Sequence, residues 1–210
     1  NDFKKIGFCF SYPTKILPNH DGELLYWTKE INIPDLVNCP VGKGLLNALN
    51  KRGIKNKQVA ILNDTVATLL SGYTQGVELD CNQYIGFILG TGTNTSCVIN
   101  NRIINIESGG FAKFPLTQID NNLDINSSNP GSYRFEKAIA GEYLGNLTLL
   151  LSKELARNKI FSDKGSKFLI SMKEAKTAYF SELINNNKNN KNPFYSDVFN
   201  DYDRSILSKI

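Results

Sequence analysis

Along the first half of the chain, short apolar runs closed by turn residues alternate with stretches whose apolar positions recur at helical spacing. Residues 5–10 (KIGFCF) are apolar and are punctuated by Ser11-Tyr12-Pro13, which predicts a buried strand running into a loop. Residues 24–27 predict a second strand. Over 41–52, Leu45, Leu46 and Leu49 recur at helical spacing and Gly53 follows, which predicts an amphipathic helix with a glycine cap. Residues 58–62 (QVAIL) predict another buried strand, ending at Asn63-Asp64 and leading into a helix over 65–73.

From 84 to 106 the pattern is that of a β-meander. YIGFIL, a glycine turn GTGTN, TSCVI, a two-residue turn at Asn100-Asn101 and RIINI follow one another closely. Residues 118–132 are rich in Asn, Asp and Ser, end in Asn129-Pro130-Gly131 and read as a loop. A long helix is expected from about Tyr133 past Leu151, with Phe135, Ile139, Tyr143 and Leu147 on one stripe. Another helix is expected over 171–184, followed by NNNKNNKN, a run expected to form a solvated loop. Strands and helices alternating around a meander indicate an α/β protein with a mixed sheet.

Composition narrows the chemistry. The net charge of +4 comes from Lys and Arg spread along the whole length, with no basic run flanked by aromatics, so a nucleic-acid partner is not expected. No apolar stretch reaches the roughly 20 residues of a membrane helix, so no membrane partner is expected and the chain reads as soluble. Cys9, Cys39, Cys81 and Cys97 show no CxxC spacing, and three lie in apolar segments where a thiol acts as a small hydrophobe. Reduced thiols fit a cytoplasmic protein. With His20 as the only histidine, a multi-histidine zinc site is impossible and a general base is expected to be a carboxylate.

Two segments carry candidate chemistry. Gly90-Thr91-Gly92-Thr93 at a strand end offers backbone N–H groups and hydroxyls to phosphate oxygens; equally, it is a tight turn with glycines at positive φ. Asp64, at the end of a buried strand, can accept a proton from an alcohol; equally, it can cap the helix that follows. Thr28, Lys29, Asn63, Asn94, Glu107 and Glu136 have the donor and acceptor chemistry a sugar requires, although Glu107 also suits a turn and Glu136 a helix first turn.

In order, these segments resemble the eukaryotic-type hexokinase and glucokinase family. GFCFSYP (7–13) is similar to its GFTFSFP sugar loop, Trp27-Thr28-Lys29 to its WTKGF, and AILNDTVAT (60–68) to the strand and Asn-Asp-Thr-Val of its catalytic segment. ILGTGTN (88–94) is identical to the common family form, NIESGGF (105–111) resembles NTEWGAF, and NPGSYRFEKAIAGEYLG (129–145) resembles NPGKQRFEKMISGMYLG. The resemblance is carried by residues 7 to about 152 and fades beyond.

The resemblance implies an actin-like ATPase (ribonuclease H-like) fold, a mixed sheet with flanking helices in two lobes, with 1–63 in the small lobe and 64–210 in the large one. It implies phosphorylation of a hexose such as glucose at the 6-hydroxyl with ATP and Mg²⁺. Asp64 would be the general base. Ser11, Tyr12, Pro13, Thr28, Lys29, Asn63, Asn94, Glu107 and Glu136 would hold the sugar, and Gly90, Thr91, Gly92 and Thr93 would face the ATP phosphates, with no protein metal ligand. The hinge would lie near Asn63 and Asp64.

Tyr12 stands where the family has Phe, and Ser108 where it has the Trp after the sugar-binding Glu, a change expected to loosen one pocket wall. The family's Asp-Gly-Gly-Thr phosphate loop and its glycine-rich adenosine loop have no counterpart, so the chain is expected to be the middle portion of a longer enzyme, its remaining partner the rest of that parent chain. The alternatives are a non-catalytic sugar sensor, which would not need Asp64, and another actin-fold sugar kinase of the kind that carries a Cys-rich zinc motif, absent here.

Overall fold

A computed structural model describes residues 3–27, 31–76 and 83–210, and the chain divides into two compact units, Asn1–Ile88 with Asn94–Glu107, and Leu89–Thr93 with Ser108–Ile210.

In the first unit, strands β1 (Lys5–Cys9) and β4 (Gln58–Leu62) pair in parallel with Cys9 opposite Leu62. Both expected strands are there, but only β4 is buried, through Val59 and Ile61; β1 exposes most of its side chains because its one described partner is β4. The strand expected at 24–27 is instead β3 (Gly22–Leu24), hairpinned against β2 (Thr14–Ile16), which the sequence pattern had left inside a loop. Helix α1 (Val41–Lys51) follows as expected, with Gly53 at φ +80° just past its end.

Buried Asp21 ties the hairpin to α1. Its Oδ1 accepts from the Gly22 and Gly42 amides at 2.7 and 2.6 Å, and its Oδ2 from Lys43 N at 2.8 Å.

Helix α2 (Asp64–Gly76) leaves β4, and a three-stranded sheet follows in the order β5 (Ile85–Leu89), β6 (Thr93–Ile99), β7 (Arg102–Asn105). Asn100 and Asn101 both take positive φ, 50° and 57°, as a two-residue hairpin turn demands. Gly86 admits the head of α2 onto the sheet: a Cβ there would lie 2.6 Å from Ser96 Oγ and would run into Thr65 O. The Ser96 hydroxyl donates to that same Thr65 carbonyl at 2.8 Å. The apolar side chains of β5 remain outside, with Ile85, Phe87 and Leu89 all exposed.

The second unit is helical. Residues 118–132 were expected as a loop, yet Gln118–Ile125 form α3, started by a capping box in which Thr117 and Asp120 satisfy each other's amides. The long helix expected from 133 is two, α4 (Arg134–Ile139) and α5 (Gly141–Arg157). The chain turns at Ala140 because the first amides of α5 bond outside it, Gly141 N to Gly90 O at 2.7 Å and Glu142 N to Thr91 O at 3.1 Å.

The helix expected over 171–184 is also divided, into the end of α6 (Asp163–Ser171) and α7 (Thr177–Ile184); α8 (Asp201–Leu207) completes the unit. Leu149, Phe161, Leu169, Phe180, Phe194, Phe199 and Leu207 form the main core of this unit. The Asn-rich run is not wholly solvated. Asn192 is buried, donating to Tyr179 O and to Glu182, and it caps the turn that buries Phe194. Among the described cysteines, Cys9 and Cys39 are exposed and Cys97 is half-buried, so none is the buried hydrophobe expected.

Candidate functional site

The parallel pair sets the site of the first unit. Phe10 N donates to Leu62 O at 2.8 Å, so Ser11 and Asn63-Asp64 leave neighbouring strands at the same carboxyl edge, where α/β proteins place ligand-binding groups. The loop from Ser11 to Pro13 is held by aromatics. Tyr12 packs on Phe10 and edge-on against Trp27, with ring centroids 5.2 and 4.7 Å apart, so its ring is held on two sides. Trp27 is itself fixed by donating from Nε1 to Ile33 O at 2.7 Å. Thr28 and Lys29, the next two expected sugar ligands, lie outside the described residues.

At the head of α2 the capping role expected of Asp64 is shared. Asn63 Oδ1 and Asp64 Oδ1 both accept from Thr65 N at 2.9 Å, and Asn63 Oδ1 also accepts from the Thr65 hydroxyl. Thr65 is fully buried, so its two donors fix which way the Asn63 oxygen faces, and Asn63 Nδ2 has no hydrogen-bond partner among the described residues. Asp64 is half-exposed at a helix N-terminus, and its Oδ2 has no hydrogen-bond partner among the described residues.

Asn94 and Glu107 meet across the β6 and β7 strands. Asn94 Nδ2 lies 3.5 Å from Glu107 Oε1, and Asn105, which was not among the expected site residues, joins both: its Oδ1 accepts from Asn94 Nδ2 and its Nδ2 donates to Glu107 Oε1, each at 2.8 Å. The Thr65 hydroxyl comes within 3.5 Å of Asn105 Oδ1, linking this group to the Asn63-Asp64 corner. Glu107 has φ +55°, a left-handed backbone that a side chain adopts at a cost and that is enriched at functional sites. Apart from its place two residues before Glu107, nothing in the local sequence singled out Asn105.

The second unit holds the remaining expected residues. Gly90 and Gly92 are not positive-φ glycines: among the described residues only Gly53 and Gly131 are, so the tight turn expected on that ground is not what the sequence spells. The carbonyls of Gly90 and Thr91 are taken by the start of α5, and a Cβ on Gly141 would sit 3.0 Å from Gly90 O. Thr93 N donates to Glu136 Oε2 at 2.9 Å, so the buried Glu136 fixes the far end of the turn. Thr91 is exposed, and its amide has no partner among the described residues. That leaves a backbone donor facing outward, suited to an anionic oxygen.

A buried ion cluster ties α4, the helix that carries Glu136, to Asp124 on α3. Asp124 accepts from Lys137 Nζ at 2.6 Å and from Gly131 N at 2.9 Å, and Arg134 lies 3.3 Å away. Burial pushes the Asp124 carboxyl up, but the Lys137 hydrogen bond, the Gly131 amide and the charges of Lys137 and Arg134 outweigh it and hold it below the usual aspartate range. The Asn-Pro-Gly…Arg-Phe-Glu-Lys spelling thus builds the seat of Glu136. Among the described residues no group of His, Cys, Asp or Glu could hold a metal ion, and no helix is long and apolar enough to cross a membrane.

Two family models described as hexokinase match residues 1–74 and 84–204. The chain is 33% identical over 205 residues to a glucokinase of Aspergillus niger, covering 85% of this chain and 41% of that protein. It is 35% identical over 178 residues to hexokinase-5 of Oryza sativa subsp. japonica, covering 76% of this chain and 34% of that one. The structure superposes on a hexokinase from Schistosoma mansoni complexed with glucose with a TM-score of 0.73 at 26% identity, covering 99% of this chain and 52% of the other. The chain therefore spans about half or less of the relatives it matches, and the expected actin-like ATPase fold is the one it has.

Proposed function

This chain belongs to the hexokinase family, and from that premise we propose that it supplies the sugar site and a phosphate-binding turn of an enzyme that transfers the γ-phosphoryl group of ATP to the 6-hydroxyl of a hexose. Glucose is the first substrate to test, since the Schistosoma mansoni relative was solved with it.

The observation that carries this reading is the corner at the head of α2. A half-exposed carboxylate, Asp64, keeps Oδ2 unpaired among the described residues, while Asn63 beside it has Oδ1 engaged by Thr65 and Nδ2 unpaired. A sugar hydroxyl needs partners that both donate and accept, and such a corner offers both. In this reading Asp64 Oδ2 takes the proton of the 6-hydroxyl as its oxygen attacks phosphorus, while Asn63, Asn94 and Glu107 orient the ring. Ser11, Tyr12, Pro13, Thr28, Lys29 and Glu136 complete the sugar shell.

Gly90, Thr91, Gly92 and Thr93 would meet the phosphates, with the outward Thr91 amide and hydroxyl as the donors. ATP with Mg²⁺ supplies the phosphoryl group and neutralises its charge. The turn fits phosphate oxygens; no described residue cluster fits the metal, and no step is assigned to it. The assignment of 1–63 and 64–210 to small and large lobes, and a cytoplasmic location in keeping with the free thiols of Cys9, Cys39 and Cys97, belong to the same proposal.

The test is a coupled ATP assay and a calorimetric glucose titration on the complete protein, with and without Asp64→Ala. Turnover lost in the variant with glucose affinity kept supports the base. Glucose binding without turnover in the wild type moves the reading to a sugar sensor.

A further inference from the structure

We propose that Asn105 is a positioning residue that presets the Glu107 carboxylate and the Asn94 amide for a sugar hydroxyl. The inference rests on the sugar site proposed above and adds a residue to it.

Asn105 is the node of the polar group on β6 and β7. Its oxygen accepts from Asn94 and its amide nitrogen donates to Glu107, both at 2.8 Å. A carboxamide has a fixed order of acceptor and donor, so these two bonds, with Thr95 N donating to Asn94 Oδ1 at 2.7 Å, set which way Asn94 presents its NH₂, and the Asn105 amide sets which oxygen of Glu107 is used. Glu107 Oε1 is engaged; Oε2 has no partner among the described residues and is left for a ligand donor. The Thr65 hydroxyl, whose proton goes to Asn63 Oδ1, lies 3.5 Å from Asn105 Oδ1, so the node sits beside the Asp64 corner.

The surroundings argue against a packing role. Asn105 is exposed, so trimming it opens no cavity, whereas Glu107 is a long flexible side chain on a left-handed residue that would otherwise sample several rotamers. Holding that carboxylate in place before the sugar arrives lowers the ordering cost of binding, and this appears in affinity more than in turnover.

The test uses the complete protein, glucose as the probe, and Asn105→Ala and Asn105→Asp beside the wild type. For Asn105→Ala, the glucose Kd and KM rise about tenfold with a smaller change in kcat, the worth of one hydrogen bond to a charged group. Asn105→Asp adds a readout that a structural role would not move. It replaces an N–H donor 2.8 Å from Glu107 Oε1 with a second carboxylate, so the pair is mutually repelling when both are ionised. One proton shared by the pair restores an O–H donor where Nδ2 stood. Glucose affinity of this variant is therefore weak near pH 8 and rises relative to the wild type as pH falls toward about 4.5.

The other titratable groups on the elements packed around Asn105 are Cys97 on β6, Arg102 on β7, and Asp64 and Tyr73 on α2. All are present in the wild type, whose own pH profile subtracts them. Unchanged affinity in both variants, or a loss in Asn105→Asp that stays constant with pH, overturns the positioning role. No glucose binding by the wild type overturns the sugar-site reading itself, so the two failures are told apart.

Discussion

The two units spend their polar groups differently. In the first, the amides and carboxylates of Asn63, Asp64, Asn94, Asn105 and Glu107 are exposed or half-exposed, the last three bonded to one another and the first two to Thr65. In the second, Asp124, Lys137 and Asp203 are buried, and each is fully engaged in tying helices together. Asp203 alone accepts from the amide and hydroxyl of Ser162 at 2.8 and 2.6 Å, joining α8 to the start of α6. Polar groups kept at the surface are available to a ligand; the same groups sealed inside set the shape of the core. Changes to this exposed group of the first unit are thus expected to cost function, and changes to the buried carboxylates, Asp21 of the first unit as well as Asp124 and Asp203 of the second, to cost stability.

The largest effect that would sharpen this contrast is Asp64→Ala, expected to lower kcat by roughly 10²–10⁴ while the thermal midpoint stays near the wild-type value. A protein that melts early but turns over normally would reverse it. Next is Asp124→Asn, which leaves Lys137 buried beside a neutral amide; the side chains of the pair are only 6% and 3% exposed, and a loss of about 3–5 kcal/mol in urea unfolding is expected.

That loss has a pH signature. The folded Asp124 carboxyl titrates below its ordinary value of 3.8, so the cluster contributes fully above that value and its contribution disappears as pH falls through the lower folded value. Urea midpoints of wild type and Asp124→Asn should converge only in that acid range.

Gly86→Ala is a smaller test, because its Cβ would press on Thr65 O and Ser96 Oγ and shift the head of α2. It should cost about 1–3 kcal/mol and reduce turnover together, the one place in the first unit where packing and site coincide. Smallest is Glu107→Gly, which relieves a left-handed residue and should gain about 1 kcal/mol of stability while weakening glucose binding.

Much of the first unit was legible because its strands are apolar runs bounded by turn residues; β4, α1 and the Asn100-Asn101 hairpin stand where the pattern put them. What escaped was decided by contacts distant in sequence. Nothing local in residues 133–151 marks the break at Ala140, since the stripe through Phe135, Ile139, Tyr143 and Leu147 runs across it; the cause is the carbonyl of Gly90 drawing Gly141 away. Helix α3 is too polar to show a helical stripe, although Thr117 and Asp120 spell its capping box. Asn192 reads as part of a solvated run until Glu182 and the Tyr179 carbonyl are seen to hold it. For the candidate site, Asn63, Asp64, Asn94 and Glu107 were read from motifs, while Asn105 and Thr65 act through other side chains and carry no separate signature.

The chain passes between its two units at three places, since Leu89–Thr93 is a short excursion from the first unit into the second. No single cut can therefore separate them. A nick between Glu107 and Ser108 would leave the glycine-threonine turn covalently on the N-terminal piece while its bonding partners Glu136, Gly141 and Glu142 stay on the other. The nicked halves should remain associated as a non-covalent pair, and residues 108–210 expressed alone should lack the clasp that orders the start of α5.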